Sequence, residues 1–267
     1  MATPASTTEA AGKPSSLRSA RLGFLLLAHA WMSLVASDAE PSTIYQQLLD
    51  DPTWLTSTAH AGLPASLPAV RRSVLELASA DLQNRPDDAA VALVRGRLLG
   101  ERDPADAEQL FIDYAERHPA DARIPLLRGL TLLVDEREHD AIEALRQAEE
   151  LRPVGAVLVR CLALRGLAED RAGWTGQALA SWARLDSMRE LDDPATQRAL
   201  QQAPAQRGLA RARELLDRPQ EAIVLLDRLL ARQTDHDARL QRARLQFLYG
   251  ADETAIDWRR LAEAHIG

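Results

Sequence analysis

The sequence has a single cysteine (Cys161), a single lysine (Lys13), a single asparagine (Asn84) and only 4% aromatic residues. One cysteine excludes an intrachain disulfide and a cysteine-based zinc site. Its setting, an apolar stretch from Val157 to Leu164, makes it a buried small hydrophobe rather than a reactive thiol. The scarcity of aromatics argues against one large globular core, and no alternating run of useful length predicts a strand. Chemistry-bearing motifs are missing too. The histidines (His29, His60, His118, His139, His236, His265) form no HisGluXaaXaaHis pair, and there is no phosphate-binding loop, dinucleotide fingerprint or nucleophile elbow. His139-Asp140 and Asp235-His236-Asp237 read as helix-turn and capping residues, the latter at most a weak divalent-metal site. These absences predict no enzyme, no cofactor and no metal.

With lysine nearly absent, the basic charge is carried by 31 arginines, and the net charge is −7. The arginines are interleaved with Asp and Glu, as on solvated helix faces. An acidic balance weighs against nonspecific nucleic-acid binding, so the arginine bias reads as the codon usage of a GC-rich, bacterial genome.

Ala and Leu are abundant, as closely packed helices require. The clearest pattern lies between Arg123 and Pro153. Gly129 is followed by Ala141 twelve residues on, then Leu145, Ala148 and Pro153. The stretch predicts two helices in a hairpin. Asp121 caps the first, Pro125 sits in its first turn, residues 135–140 form a polar turn, and Pro153 ends the unit. Gly129 and Ala141 let the backbones approach, and Leu145 fills the space beside them. The pattern recurs. The small residue of the first helix is Gly96, Gly129, Gly166, Ala210 and Ala243, and that of the second is Ala107, Ala141, Ala178, Ala222 and Ala255. Four residues after the latter come Phe111, Leu145, Trp182, Leu226 and Arg259. The intervals between second-helix alanines are 34, 37, 44 and 33.

This spacing resembles the tetratricopeptide repeat. The resemblance implies an all-α, right-handed α-solenoid of helix-turn-helix repeats, in which each hairpin buries its apolar face against its neighbours. About five hairpins are expected over 87–267. An insert near 189–204 is either a longer helix or loop or a lip beside a binding site. Asp193-Pro194 reads as a helix start and Pro204 as a kink or break.

Residues 1–39 are expected to hold a disordered Ala/Ser/Thr/Pro leader followed by a signal peptide or short anchor. The apolar run 22–36 follows Arg18 and Arg21 and would span about 22 Å as a helix, short of a ~30 Å hydrocarbon core. It resembles a secretory signal, with cleavage before Asp38 or Glu40. A short membrane anchor and a buried helix of the solenoid are the alternatives. Residues 40–86 read as N-terminal helices and a Pro-rich loop, together expected as a degenerate repeat, with a short helix over 40–51, the loop over 52–68 and a long amphipathic helix over 69–84.

In the resembled family the first helices line a concave groove that receives an extended peptide or a partner helix. Carrying the register over from Gly129 places Leu93, Arg97, Arg123, Leu126, Leu130, Arg160, Ala163, Arg207, Arg211, Leu240 and Arg244 along that groove. The row of arginines predicts an acidic or C-terminal peptide segment as partner. The implied function is an interaction scaffold or assembly factor of the bacterial envelope, exported to the periplasm. The alternatives are a cytoplasmic or membrane-anchored adaptor and a non-catalytic substrate-binding subunit of an enzyme complex.

Overall fold

A computed structural model describes residues 67–100, 102–233 and 235–249. The leader, the 22–36 run, the helix expected after Glu40 and the last expected helix (252–264) lie outside the described residues. Within them, eleven α-helices follow one another: α1 (Leu67–Asn84), α2 (Ala89–Leu99), α3 (Pro104–Arg117), α4 (Arg123–Val134), α5 (Glu138–Glu150), α6 (Gly155–Arg171), α7 (Thr175–Ser187), α8 (Pro194–Leu200), α9 (Ala203–Leu215), α10 (Pro219–Arg232) and α11 (His236–Tyr249). A single 3₁₀ turn (Met188–Glu190) follows α7.

Consecutive helices form the hairpins α2–α3, α4–α5, α6–α7 and α9–α10, with α1 packed on α2, α8 on α6 and α11 on α10. Successive first helices (α2, α4, α6, α9) also lie against one another and form one layer of an α-solenoid. The first three hairpins cross at glycine and the fourth at Ala210. A Cβ placed on Gly96 would fall 2.5 Å from the Phe111 ring, and one on Gly129 would fall 2.6 Å from Leu145 Cγ. One on Gly166 would meet the Trp182 indole at less than 3.0 Å. The recurrent small residue and the bulky residue of the next helix are therefore direct partners. Ala107, Ala141, Ala178 and Ala222 are fully buried beside them.

Three of the four turns share one geometry. In each, the residue after the helix cap has positive φ: Glu136 (56°), Gly173 (80°) and Asp217 (58°). The next N–H reaches back to a carbonyl in the last helical turn: Arg137 to Leu132 (2.9 Å), Trp174 to Glu169 (2.7 Å) and Arg218 to Arg213 (2.8 Å). This is the Schellman closure, and it satisfies carbonyls that a helix end otherwise leaves bare. The α4–α5 turn is shorter than the expected 135–140, because Glu138 already begins α5. The α2–α3 hairpin, one residue tighter in sequence, closes differently, with Arg102 and Asp103 both donating to Leu99 O.

Two expectations are corrected. α1 begins at Leu67, inside the loop expected as far as Pro68, because Pro68 falls in the first turn of the helix, where its missing N–H costs nothing. Pro204 likewise breaks no helix; it occupies the first turn of α9. The insert holds a short helix of its own, and Pro204 at its end leads into α9. Asp193 caps α8 through the Ala195 and Thr196 N–H groups, and the helix packs on α6 with Ala199 and Leu200 buried. Gln206 Nε2 donates to Leu200 O (2.6 Å), closing the end of α8 from within the core.

Candidate functional site: the first-helix groove

The first helices α6, α9 and α11 enclose a groove of about 360 Å³ lined by Leu167, Asp170, Arg171, Trp182, Pro204, Arg207, Gly208, Arg211, Asp237, Leu240, Gln241 and Arg244. Its walls are apolar at Leu167, Pro204 and Leu240, and its rim is charged. The helices present this set because residues three and seven apart share one helix face. Pro204, Arg207 and Arg211 do so on α9, and Asp237, Leu240 and Arg244 do so on α11.

The structure separates the eleven residues expected in the groove. Arg207, Arg211, Leu240 and Arg244 come together there. Leu93, Leu126 and Ala163 are buried in the core and cannot present side chains to a partner, because the hairpins that follow close over them. Arg97 is also buried, at 4% exposure. Leu130 is half-buried and packs against the core of the first two hairpins. Arg123 folds back onto Asp121 (2.7 Å), and Arg160 Nε donates to Gln202 Oε1 (3.3 Å) beside the insert. Asp121, expected to cap this helix, stands one residue before the cap position, which Ala122 holds, and accepts the Arg123 N–H (3.0 Å) from there. Burial opposes its charge, but the Arg123 bonds outweigh this and hold its carboxyl below the ordinary value.

The missed lining residues carried a signal. The register that maps Arg123, Leu126 and Leu130 onto the third hairpin gives Arg160, Ala163 and Leu167. Applied to the fourth it gives Pro204, Arg207 and Arg211, and to α11 it gives Asp237, Leu240 and Arg244. Leu167, Pro204 and Asp237 thus complete the pattern, and all three line the groove. Trp182 had no such signal. It belongs to a second helix and enters from behind, between α6 and α9.

The groove arginines are not free charges. Arg207 pairs with Asp237 and reaches Asp235 at 3.8 Å. Arg211 binds Asp170 (2.9 Å) and Glu214 (3.0 Å), and Arg244 binds Glu214 (2.5 Å). Arg171 donates to Leu133 O (3.3 Å). Burial works against the charge on Arg211, but its bonds to Asp170 and Glu214 prevail and raise its pKa. Asp235 and Asp237, the expected weak metal site, are instead engaged by Arg207 and by the cap of α11, where Asp235 accepts the Ala238 N–H (2.7 Å). Among the described residues no group of three or more His, Cys, Asp or Glu side chains gathers as metal ligands.

Cys161 is buried, donates to Leu145 O (3.1 Å), and has its pKa pushed up to about 12, first by burial and then by Glu149. It is a packing residue, not a nucleophile.

No family model matches the sequence, and no curated protein matches it. Among solved structures the chain resembles PilW, described as a widely conserved type IV pilus biogenesis factor, with a TM-score of 0.57 and 17% identity over 85% of this chain and 95% of that one. A structure of MamA superposes more loosely, with a TM-score of 0.43 and 18% identity over 61% and 89% of the two chains. At these identities the likeness concerns the fold alone. The repeated glycine crossings, the shared turns and the match to PilW establish a tetratricopeptide-like α-solenoid, an architecture associated with protein partners.

Proposed function

We propose that this chain is a non-enzymatic interaction scaffold or assembly factor that holds a segment of another protein in the groove between α6, α9 and α11. The observation that carries this reading is the groove itself: three successive first helices supply its walls, and among the described residues the second-helix layer contributes Trp182 alone. Because PilW serves pilus biogenesis, the likeness supports a role in an envelope assembly, with export to the periplasm through the 22–36 segment. No described helix is long and apolar enough to cross a membrane.

An acidic or C-terminal peptide, the partner expected from the arginine row, would have to replace carboxylates of the chain itself. Arg207 is where such an exchange is open, because its partner Asp237 has a side chain 60% exposed. Affinity purification from the native cell tests the proposal. Leu240→Arg fills the groove and is expected to abolish retention of the partner, and retention at the wild-type level would reject the groove as the binding site. Arg207→Glu is expected to weaken retention and its salt dependence if the partner brings carboxylates. The N-terminal residue of the native protein tests export: a start at Asp38 or Glu40 supports it, and an intact 22–36 segment in the soluble cytoplasmic fraction rejects it.

A further inference from the structure

The hairpin turns form a second surface, at the edge of the solenoid where each first helix gives way to its second. Exposed apolar side chains recur there. Val134, Trp174 and Leu216 each stand within two residues of a left-handed turn position and are 42%, 38% and 51% exposed. The end of α11 continues the row. Leu248 lies five residues beyond Ala243, as Val134 does beyond Gly129, and Tyr249 lies six beyond it, as Leu216 does beyond Ala210. Both are exposed. Contacts between the turns hold the row together. The Trp174 ring meets His139 of α5 edge to face, with centroids 5.2 Å apart, and Arg171 reaches Leu133 O beside Val134. Gln220 Nε2 donates to Tyr249 O (3.5 Å). A single exposed apolar residue needs no explanation; a recurrence at four successive places along one edge marks a contact surface.

This edge is acidic, whereas the groove lining is basic. Around the α4–α5 turn, Asp135, Glu136, Glu138 and Asp140 stand against Arg137, which is already shared with Glu108. Around the α9–α10 turn, Asp217 and Glu221 stand against Arg218. The α6–α7 turn adds Arg171, held at Leu133 O. The ion pairs of these turns leave Glu136, Glu138 and Asp217 without a partner among the described residues. A cationic partner therefore gains attraction here without displacing a bond that the chain already makes.

We infer that the turn edge is a second interaction surface, which takes a lysine- or arginine-rich amphipathic helix of a partner protein. Its apolar side chains meet Val134, Trp174, Leu216 and the end of α11, and its cations meet Glu136, Glu138 and Asp217. The spacing selects a helix. Packed helices lie roughly 8–10 Å apart, so the apolar side chains recur along the edge at about that interval. Residues seven apart on an α-helix are separated by about 10 Å and share one face. An extended strand covers the same distance in about three residues, which fall on opposite faces and cannot both meet the row. The surface is distinct from the groove and does not depend on it.

The test adds a fluorescent, capped peptide to the full chain and follows its anisotropy. The peptide is about three heptads long and made of alanine and lysine, with leucine at every seventh position. One control scrambles the leucines, and a second replaces lysine with glutamate. The expected result is saturable binding of the patterned lysine peptide alone, weakened by added salt and about tenfold by Trp174→Ala or Leu216→Ser, but unchanged in Leu240→Arg. Glu136→Lys, at an exposed position, should weaken it without touching any packed side chain. Equal binding of the scrambled peptide would overturn the inference, since charge alone would then suffice. Binding lost in Leu240→Arg and kept in both turn variants would put the helix in the groove and overturn it while leaving the scaffold reading intact. Absence of binding would overturn it as well, and the partner-retention experiment would still measure the scaffold role independently.

Discussion

The second and third hairpins are built on one plan and filled in opposite ways. In the second, Gly129 faces Leu145, a flexible side chain held from one side. In the third, Gly166 faces Trp182, a rigid ring that is also held by Gly208 of the following hairpin. Their charges differ in the same sense. Glu108 ties α3 to Arg128 (2.8 Å) and Arg137 (2.7 Å) at the surface of the second hairpin. In the third, Glu169 is 3% exposed and accepts from Ser181 (2.6 Å), while Arg165 bridges Glu169 (3.2 Å) and Glu149. The second hairpin is tied back to α3 by one surface carboxylate; the third is a junction that ties α5, α6, α7 and α9 together. The groove opens beside the junction, where a large ring keeps α6 and α9 apart and small residues let its edge through.

The contrast is broken most severely at the two glycines. Gly166→Ala places a Cβ against an indole that cannot retreat, because Gly208 stops it on the far side. A loss of about 3 kcal/mol or more is expected, at the upper end for overpacking. Gly129→Ala meets Leu145, which can turn aside, and lies 3.3 Å from the Ala141 carbonyl oxygen; alanine regains about 1 kcal/mol of helix propensity, so a net loss of about 1 kcal/mol is expected. Denaturant midpoints of both variants measure the difference. The sharper form is a double mutant. In a Trp182→Leu background the Gly166→Ala cost should fall to the Gly129→Ala level, and additive costs would show that the ring is not the reason.

The surface charge is the next largest effect. Burial raises the pKa of Glu108, but hydrogen bonds from Arg128 and Arg137 outweigh it and hold the carboxyl below its ordinary value. A carboxyl depressed on folding contributes stability that is present above its unfolded pKa and is lost as pH falls through the folded one. Glu108→Gln should therefore cost on the order of 1 kcal/mol at neutral pH, after allowance for the exposure of both arginines. The loss should shrink as the pH falls below about 4, since the wild-type carboxyl is then protonated too. Urea midpoints from pH 7 to pH 3 check the sign, and a cost independent of pH would assign the effect to packing.

How far the sequence could be read depended on whether a contact was local in the repeat. Gly129 with Leu145 and Gly166 with Trp182 each lie within one hairpin, so a fixed spacing revealed them. Gly208 did not stand out, because it serves the preceding hairpin from two residues before Ala210, the small residue of its own. The groove was partly legible for the same reason. Arg207, Arg211, Leu240 and Arg244 followed from the register, and Leu167, Pro204 and Asp237 would have followed had it been carried through. The pairing of the arginines could not be foreseen, since Arg211 meets Asp170 from 41 positions away through a different hairpin. Nor could the burial of Leu93, Leu126 and Ala163, because an apolar residue on a first helix looks the same in sequence whether the next hairpin covers it or leaves it beside a groove.

The smallest effects lie in the turns, where the second, third and fourth hairpins can be compared at one backbone position. Only the third has glycine there. Glu136 and Asp217 hold the same left-handed conformation at a cost of roughly 1 kcal/mol, less for aspartate, whose short side chain tolerates this region better. Glu136→Gly should thus stabilise the chain by up to about 0.5–1 kcal/mol, a gain reduced by the freedom glycine adds to the unfolded state. Asp217→Gly should stabilise it less. Gly173→Ala should destabilise it by about 1 kcal/mol although nothing lies within 4 Å of the added Cβ, so that the whole cost is backbone strain. The order Glu136→Gly, Asp217→Gly, Gly173→Ala in thermal midpoint, from highest to lowest, would show that the three turns are energetically one motif. A reversed order would mean that side-chain contacts, not the shared backbone closure, decide how each hairpin ends.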